Sequence, residues 1–300
     1  YSPLEADWPG WLFYASTQLN PQNPIWRDFP ALNAYLTRVQ AILQESKPDN
    51  DILLYWPIHD AWHAEEGLRM EVRVHNGHDW FYGHPFGDAA KLLNDQGYAF
   101  DYVSDRGLAS CQSSQGAIQA PGGSYSVVVV PRARYMPLAT LRKLATLARG
   151  GAVVLFWGEL PESEPGMAGR SASDAWQETI DRCQRQIAAG SVGVGEDLAA
   201  LLTESGVRRE TALNDQQIRY VRERWNGDTV YFIKNEGEQL IDSTFRLATE
   251  FETVVIMDPM SGVMGAAEVE KTDDGAAAVR LQIAPQQSRL LVASTRQVAA

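Results

Sequence analysis

The sequence predicts an α/β domain built on a parallel sheet, followed by an all-β antiparallel sandwich. Three observations carry that prediction. Between residues 50 and 207, short apolar runs alternate with segments of helical periodicity, an order that builds a parallel, doubly wound sheet. The run Asp51-Ile52-Leu53-Leu54-Tyr55-Trp56-Pro57 is nearly continuously apolar, as in a strand buried on both faces. After residue 208 the helical pattern gives way to short strands separated by Gly, Pro and Asp turns, the spacing of a sandwich.

The elements follow in order. Residues 1–25 lack periodicity and carry Pro3, Pro9, Pro21 and Pro24, so they read as loop. Asp28 is placed to cap a helix with Pro30 in its first turn. Leu32, Tyr35, Leu36, Val39, Ile42 and Leu43 then repeat at helical spacing up to Ser46. After the strand at 51–57, a helix runs from Asp88 to Gln96 and closes at Gly97. Strands are expected at Tyr98–Val103, Ser126–Val130 and Ala152–Phe156, and helices at Pro137–Ala148, Ser173–Ala188 and Glu196–Ser205. In the β-rich part, Asn226-Gly227-Asp228 signals a hairpin between Ile218–Trp225 and Thr229–Lys234. Further strands are expected at 243–248, 252–257, 277–283 and 288–294. The charged runs Arg208-Arg209-Glu210 and Glu268-Val269-Glu270-Lys271 read as solvated faces.

Composition limits the partners. A net charge of −12 and a pI near 4.9 argue against nucleic acid and anionic membrane surfaces, which need a basic patch. No apolar run is long enough for membrane insertion. Cys111 and Cys183 match no metal spacing, and either two thiols or one disulfide satisfies them. The chain opens at Tyr1 without an initiator Met or signal peptide and is aromatic at once, which reads as a piece of a longer protein. The sequence leaves the oligomeric state open.

Several chemistries are missing where this fold would place them. The first strand runs into Trp56-Pro57-Ile58-His59-Asp60 rather than a glycine-rich phosphate cradle. There is no Gly-x-Ser-x-Gly elbow. An amidotransferase-like sheet would need a Cys at a strand-to-helix elbow. Here Val130 leads into Pro131-Arg132-Ala133-Arg134, Cys111 falls in a polar loop and Cys183 in mid-helix. The domain reads as a Rossmann/flavodoxin-like, amidotransferase-like body without catalysis of its own.

All five histidines lie between His59 and His84, among Asp60, Trp62, Glu65, Glu66, Asp79 and Trp80. Three readings stand side by side. His59 and His63 would share one helix face beside Glu66 as metal ligands. The mixture of His, Asp and Trp would suit a sugar, with hydroxyls on the polar groups and the C–H face on an indole. Or the segment is a surface loop packed on a neighbouring domain. His59 and Asp60 carry the most weight as substrate-binding candidates, because they follow the end of a parallel strand. No residue is assigned as a metal ligand.

A set of strings in order resembles glycoside hydrolase family 106, the α-L-rhamnosidase family. They are Tyr1-Ser2-Pro3 with Trp8-Pro9-Gly10-Trp11, Leu32-Asn33-Ala34-Tyr35-Leu36-Thr37-Arg38, Leu54-Tyr55-Trp56-Pro57-Ile58-His59-Asp60 and Gly97-Tyr98-Ala99-Phe100-Asp101-Tyr102-Val103-Ser104-Asp105. Val130-Pro131 with Met136-Pro137, and Gly158-Glu159-Leu160-Pro161, complete the set. The resemblance runs through most of residues 1–210 and fades in the β-rich tail.

It implies that residues 1–48 are the last loop and helix of a (β/α)8 catalytic barrel, 49–207 an accessory Rossmann-like domain, and 208–300 a β-sandwich. Trp8 and Trp11, with Phe13 and Tyr14, would then line a sugar pocket on the barrel's active-site face. The implied activity is inverting hydrolysis of terminal α-L-rhamnosyl residues in plant or bacterial polysaccharides. The resemblance also implies help from calcium and a periplasmic or secreted location. Inversion needs two carboxyl groups held apart by a water, and no catalytic glutamate of the family maps onto this chain. Two other readings remain: a carbohydrate-binding or scaffold protein with a degenerate Rossmann-like domain, and a metal-dependent hydrolase using the histidines.

Overall fold

The computed structural model describes residues 5–7, 19–65, 67–167, 174–210, 218–272 and 277–296. A short 3-10 turn leads into α1 (Phe29–Leu43), with a proline in its first turn. Asp28 stands at the capping position, but its side chain makes no capping bond. A two-residue strand, β1 (Lys47–Pro48), follows.

The α/β part is built from β2 (Ile52–Tyr55), α2 (Ile58–His63), α3 (Gly77–Trp80), α4 (Pro85–Asp95), β3 (Phe100–Val103) and α5 (Asp105–Ser110). A small meander comes next: β4 (Gln112–Ser114), β5 (Ala117–Ala120) and β6 (Gly123–Tyr125). Then follow β7 (Val127–Val130), α6 (Leu138–Arg149), β8 (Val153–Trp157), α7 (Asp174–Ala188), β9 (Val192–Gly195) and α8 (Leu198–Ser205). Five strands form one parallel sheet in the order β3-β2-β7-β8-β9.

Helices cover both faces, and the strand sequences say why. Ile52, Leu54, Val127 and Val129 point to α4 and α8, where Phe86, Ala89, Leu93, Leu198 and Leu202 meet them. Leu53, Tyr55, Val128 and Val130 point to the other face, against Leu108, Leu141, Leu144 and Trp176 of α5, α6 and α7. Side chains alternate along a strand, so a strand covered on both faces must be apolar at every position. Both cysteines are unpaired and buried in the second of these cores. Burial pushes both thiols above their ordinary range.

The remaining strands are β10 (Ile218–Trp225), β11 (Asp228–Asn235), β12 (Ile241–Phe245), β13 (Thr253–Met257), β14 (Met264–Ala266), β15 (Val269–Lys271), β16 (Ala277–Ile283) and β17 (Ser288–Ser294). They form two antiparallel sheets, β1-β10-β11-β17-β13-β14 and β12-β16-β15. The hairpin closes on two residues, with Trp225 opposite Asp228 and both Asn226 and Gly227 at positive φ. That is the primed turn whose twist matches the strands. Tyr231, Ile233, Leu291 and Ala293 face the core between the sheets. Their alternates Val230, Phe232, Leu290 and Val292 face Tyr35, Val39, Ile42 and Leu43 of α1. The segment expected to end a barrel thus packs, in its described part, on the outside of the sandwich. Leu32 and Leu36, on the same predicted stripe, stay 46% and 42% exposed.

One buried charged cluster joins the two parts. Arg222 of β10 is fully enclosed. Its guanidinium donates to Glu210 Oε1 at 2.9 Å, to the Asp49 carbonyl at 2.8 and 3.1 Å, and to the Asp51 carboxylate. Glu210 also accepts from Tyr231 Oη and from the Ala248 amide, both at 2.8 Å. Arg208 bridges Asp49 and Asp51 at 3.0 Å each. Burial works against the charge on Arg222, but Asp51, with Tyr231 and Glu210 behind it, outweighs that cost and raises its pKa. Arg208-Arg209-Glu210 is therefore not a solvated face: two of its members are tied into this cluster and Arg209 lies over the Tyr98 ring.

Breaking a buried ion pair from one side leaves a bare charge inside. Glu210→Ala is expected to lower the unfolding free energy by about 3–5 kcal/mol in urea titrations. Glu268→Ala, on an exposed site, should stay within about 0.5 kcal/mol of the parent.

Candidate ligand cleft at the strand ends

Each parallel strand ends at the same edge of the sheet, and the loops there enclose a cleft of about 750 Å³. Trp56, Pro57 and Asp60 come from the end of β2, and Arg132 and Arg134 from the end of β7. Gly158, Glu159 and Glu162 follow β8, and Glu196 follows β9. The opposite wall is the segment after α2, with Arg69, Met70, Asp79, Trp80, His84 and Phe86. The chain leaves β2 through α4 on one face and reaches β7 through α5 on the other. The cleft opens between those two strands, the reversal point where ligands of open α/β sheets bind.

Asp60 fixes the shape of the site. Its carboxylate accepts from the Arg134 amide at 2.8 Å and from the Tyr135 amide at 3.3 Å, which ties the loop after β2 to the loop after β7. Burial pushes its carboxyl above the ordinary aspartate value, against the pull of both amides, Arg134 and His59. Arg134 is held by Glu162 in a two-point ion pair at 2.9 and 3.1 Å. That contact holds Glu162 below its usual range. Arg132 pairs with Glu196 and lies 5.2 Å from the centre of the Trp157 ring. Gly158 makes room for it. At φ +96, a Cβ there would stand 3.1 Å from Arg132 Cγ.

The aromatic wall is continuous. Trp56 lies 5.9 Å from Trp80 and stacks on Phe86 at 6.1 Å. The Trp80 indole nitrogen donates to the Arg73 carbonyl at 3.1 Å, which sets the ring's orientation.

The histidines separate. Residues 58–63 do form a helix, α2, but His59 and His63 take different partners. His59 turns inward, its Nε2 2.9 Å from Asp105 Oδ2. Asp105 also accepts from Tyr55 Oη at 2.9 Å and Thr140 Oγ1 at 2.6 Å. Burial, then Asp105, drives the Tyr55 phenol well above its ordinary value. The His63 ring lies tilted 4.0 Å from the Tyr135 ring, and the His78 ring tilted 5.3 Å from Tyr82. Only His84 reaches the cleft wall.

Of the substrate-binding candidates, Asp60 lines the cleft, His59 braces the helix behind it, and Trp8 and Trp11 lie outside the described residues. Among the described residues, no three His, Cys, Asp or Glu side chains converge on a metal position. Sequence reasoning passed over Trp56, Arg132, Arg134 and Glu196 as cleft-lining residues. Their signal was position, each lying at or just past a strand's C-terminal end.

The comparisons agree with this architecture. The rhamnosidase from Novosphingobium sp. PP1Y superposes with a TM-score of 0.69 at 20% identity, over 95% of this chain and 27% of that one. A β-galactosidase from Bacillus circulans sp. alkalophilus superposes with a TM-score of 0.50 at 10% identity, over 92% and 46%. These are likenesses of fold. In sequence, a Formosa agariphila protein named "Putative beta-glucuronidase" is 22% identical over 289 residues, 94% of this chain and 22% of its own length. The family model described as alpha-L-rhamnosidase matches residues 87–269, more than half of the chain, which places the chain in the glycoside hydrolase class. It belongs to glycoside hydrolase family 106. The chain spans 27% and 22% of the lengths of the rhamnosidase and the Formosa relative.

The raised pKa of Asp60 fixes the sign of a pH effect. The folded state holds the proton more tightly than the unfolded state. Asp60's contribution to stability therefore falls as pH climbs from the ordinary value of 3.8 through the raised one, and levels off above it. The stability difference between the parent and Asp60→Asn, measured by urea unfolding across that range, should shrink with rising pH. A difference that grew would show that the two amides outweigh burial.

Proposed function

We propose that this chain is the accessory part of a longer α-L-rhamnosidase-like enzyme, which removes terminal α-L-rhamnosyl residues from plant or bacterial polysaccharides with inversion. The observation that carries the reading is the family match over residues 87–269, which covers most of the α/β part and runs into the sandwich. In this reading residues 1–48 end a catalytic barrel, 49–207 form a Rossmann-like accessory domain and 208–300 a bracing β-sandwich. The strand order β3-β2-β7-β8-β9 supports the middle assignment.

The chemistry of the cleft supports a supporting role. Inverting hydrolysis needs one carboxyl free to protonate the leaving oxygen and another free to activate water, roughly 6.5–9.5 Å apart. Of the five carboxylates around the cleft, Asp60, Glu162 and Glu196 are each committed to a backbone amide or a guanidinium, and Asp79 and Glu159 stand exposed on its walls. Both thiols are buried and their pKa values raised, which removes the nucleophile an amidotransferase-like sheet would use. In this reading the carboxylates that break the glycosidic bond belong to the preceding barrel.

Release of nitrophenol from an aryl α-L-rhamnoside tests this directly. The 300-residue chain is expected to be inactive, and the protein extended upstream through the whole barrel active. Hydrolysis by the short chain, or none by the extended protein, would overturn the reading.

A further inference from the structure

We propose that the cleft at the strand ends is a second, non-catalytic carbohydrate site that takes a neutral pyranose against Trp80 and Trp56. The inference rests on the reading above only in its choice of sugars as probes; the geometry is this domain's own.

Size and place admit a ligand. About 750 Å³ lies within the range of roughly 300–1,000 Å³ typical of small-molecule sites. The position is the reversal point of the sheet, where such ligands sit. The question is which chemistry the walls accept.

Charge decides against anions. Five carboxylates (Asp60, Asp79, Glu159, Glu162 and Glu196) surround the cleft, against three guanidinium groups. Two of those guanidiniums, Arg132 and Arg134, are already neutralised by Glu196 and Glu162. A phosphate or uronate entering here would meet net negative charge. The glycine-rich turn that would cradle a phosphate is also replaced by Trp56-Pro57.

What remains is suited to an uncharged polyol. Trp80 and Trp56 offer part-buried ring surface, and Trp80 is pinned through its indole nitrogen. A ring held in place loses little entropy on binding. It presents an apolar face of the kind that the C–H side of a pyranose covers. Among the described residues, Asp79 and Glu159 are exposed and partnerless on the cleft walls. They can accept from sugar hydroxyls, while the outer N–H groups of Arg132 and Arg134 can donate.

The test is calorimetric titration of the 300-residue chain with a panel of neutral sugars. Methyl α-L-rhamnopyranoside, methyl α-D-mannopyranoside, cellobiose and maltotriose form the panel, with glucuronate and ADP as anionic comparisons. At least one neutral sugar should bind in the millimolar range, and the anions should not. Trp80→Ala should weaken binding about tenfold or more, equivalent to ~1.4 kcal/mol. Trp26→Ala, in the exposed 3-10 turn before α1, should leave it unchanged. If Trp80→Ala fails to fold by circular dichroism, the surface pair Asp79→Asn with Glu159→Gln carries the test, with a loss of at least about fivefold (~1 kcal/mol) expected.

Silence across the neutral panel, tighter binding of ADP or glucuronate, or neutral-sugar binding indifferent to these substitutions would each overturn the site. Rhamnoside hydrolysis by the extended protein without sugar binding here sinks this inference alone. Binding here without hydrolysis there sinks the catalytic reading and leaves the site standing.

Discussion

The rest of the structure depends on Arg222. It is a cation with no exposed surface, set on the second strand of the six-stranded sheet, and it persists only because Asp51, Asp49, Glu210 and Tyr231 surround it. Asp51 stands at the mouth of β2, the parallel strand flanked by β3 and β7. Its backbone also receives the Ser126 amide at 2.8 Å and donates to Ala99 at 3.0 Å. One guanidinium thus ties the entry of the parallel sheet to the sandwich. A buried charge tolerates little displacement of its partners, so this contact sets how the two parts meet.

That arrangement gives the sheet two unlike ends. The N-terminal end of β2 is closed by the charged cluster and by β1, which pairs with β10. The C-terminal ends of β2, β7, β8 and β9 stay open, and all the cleft's strand-end residues gather there. Asp60 serves at that end as Asp51 does at the other, with a carboxylate that closes one loop onto its neighbour. The difference is solvent. The pairs around the cleft, Arg134–Glu162 and Arg132–Glu196, are exposed, and exposed pairs contribute little stability. They shape the lip and its charge instead.

Membership of a glycoside hydrolase family fits a domain with the layout of a catalytic α/β fold and none of its nucleophiles. Trp56-Pro57 stands where a phosphate loop would begin and Arg132-Ala133-Arg134 where an elbow nucleophile would sit. Two strand ends have been given over to packing, stacking and ion pairing.

Much of this was legible in the sequence, and the reason is local. Val127–Val130 and Ile52–Tyr55 declare doubly covered strands because every position is apolar, and Asn226-Gly227 declares its turn because both residues must accept positive φ. Short elements were not legible. β9 is Val-Gly-Val-Gly, and β4 to β6 are three or four residues of mostly polar or small side chains. Too little pattern survives there to distinguish strand from loop. The sequence by itself determined the α/β-then-β order, the strand faces and the absence of a phosphate cradle or nucleophile elbow. Only the tertiary structure decided that Glu210 is buried beside Arg222, that His59 turns inward to Asp105 while Asp60 faces the cleft, and that Trp56 meets Trp80. Those outcomes depend on partners 12, 46 and, for Asp60, 74 residues away. Adjacency of that kind is set by packing, and no local periodicity records it.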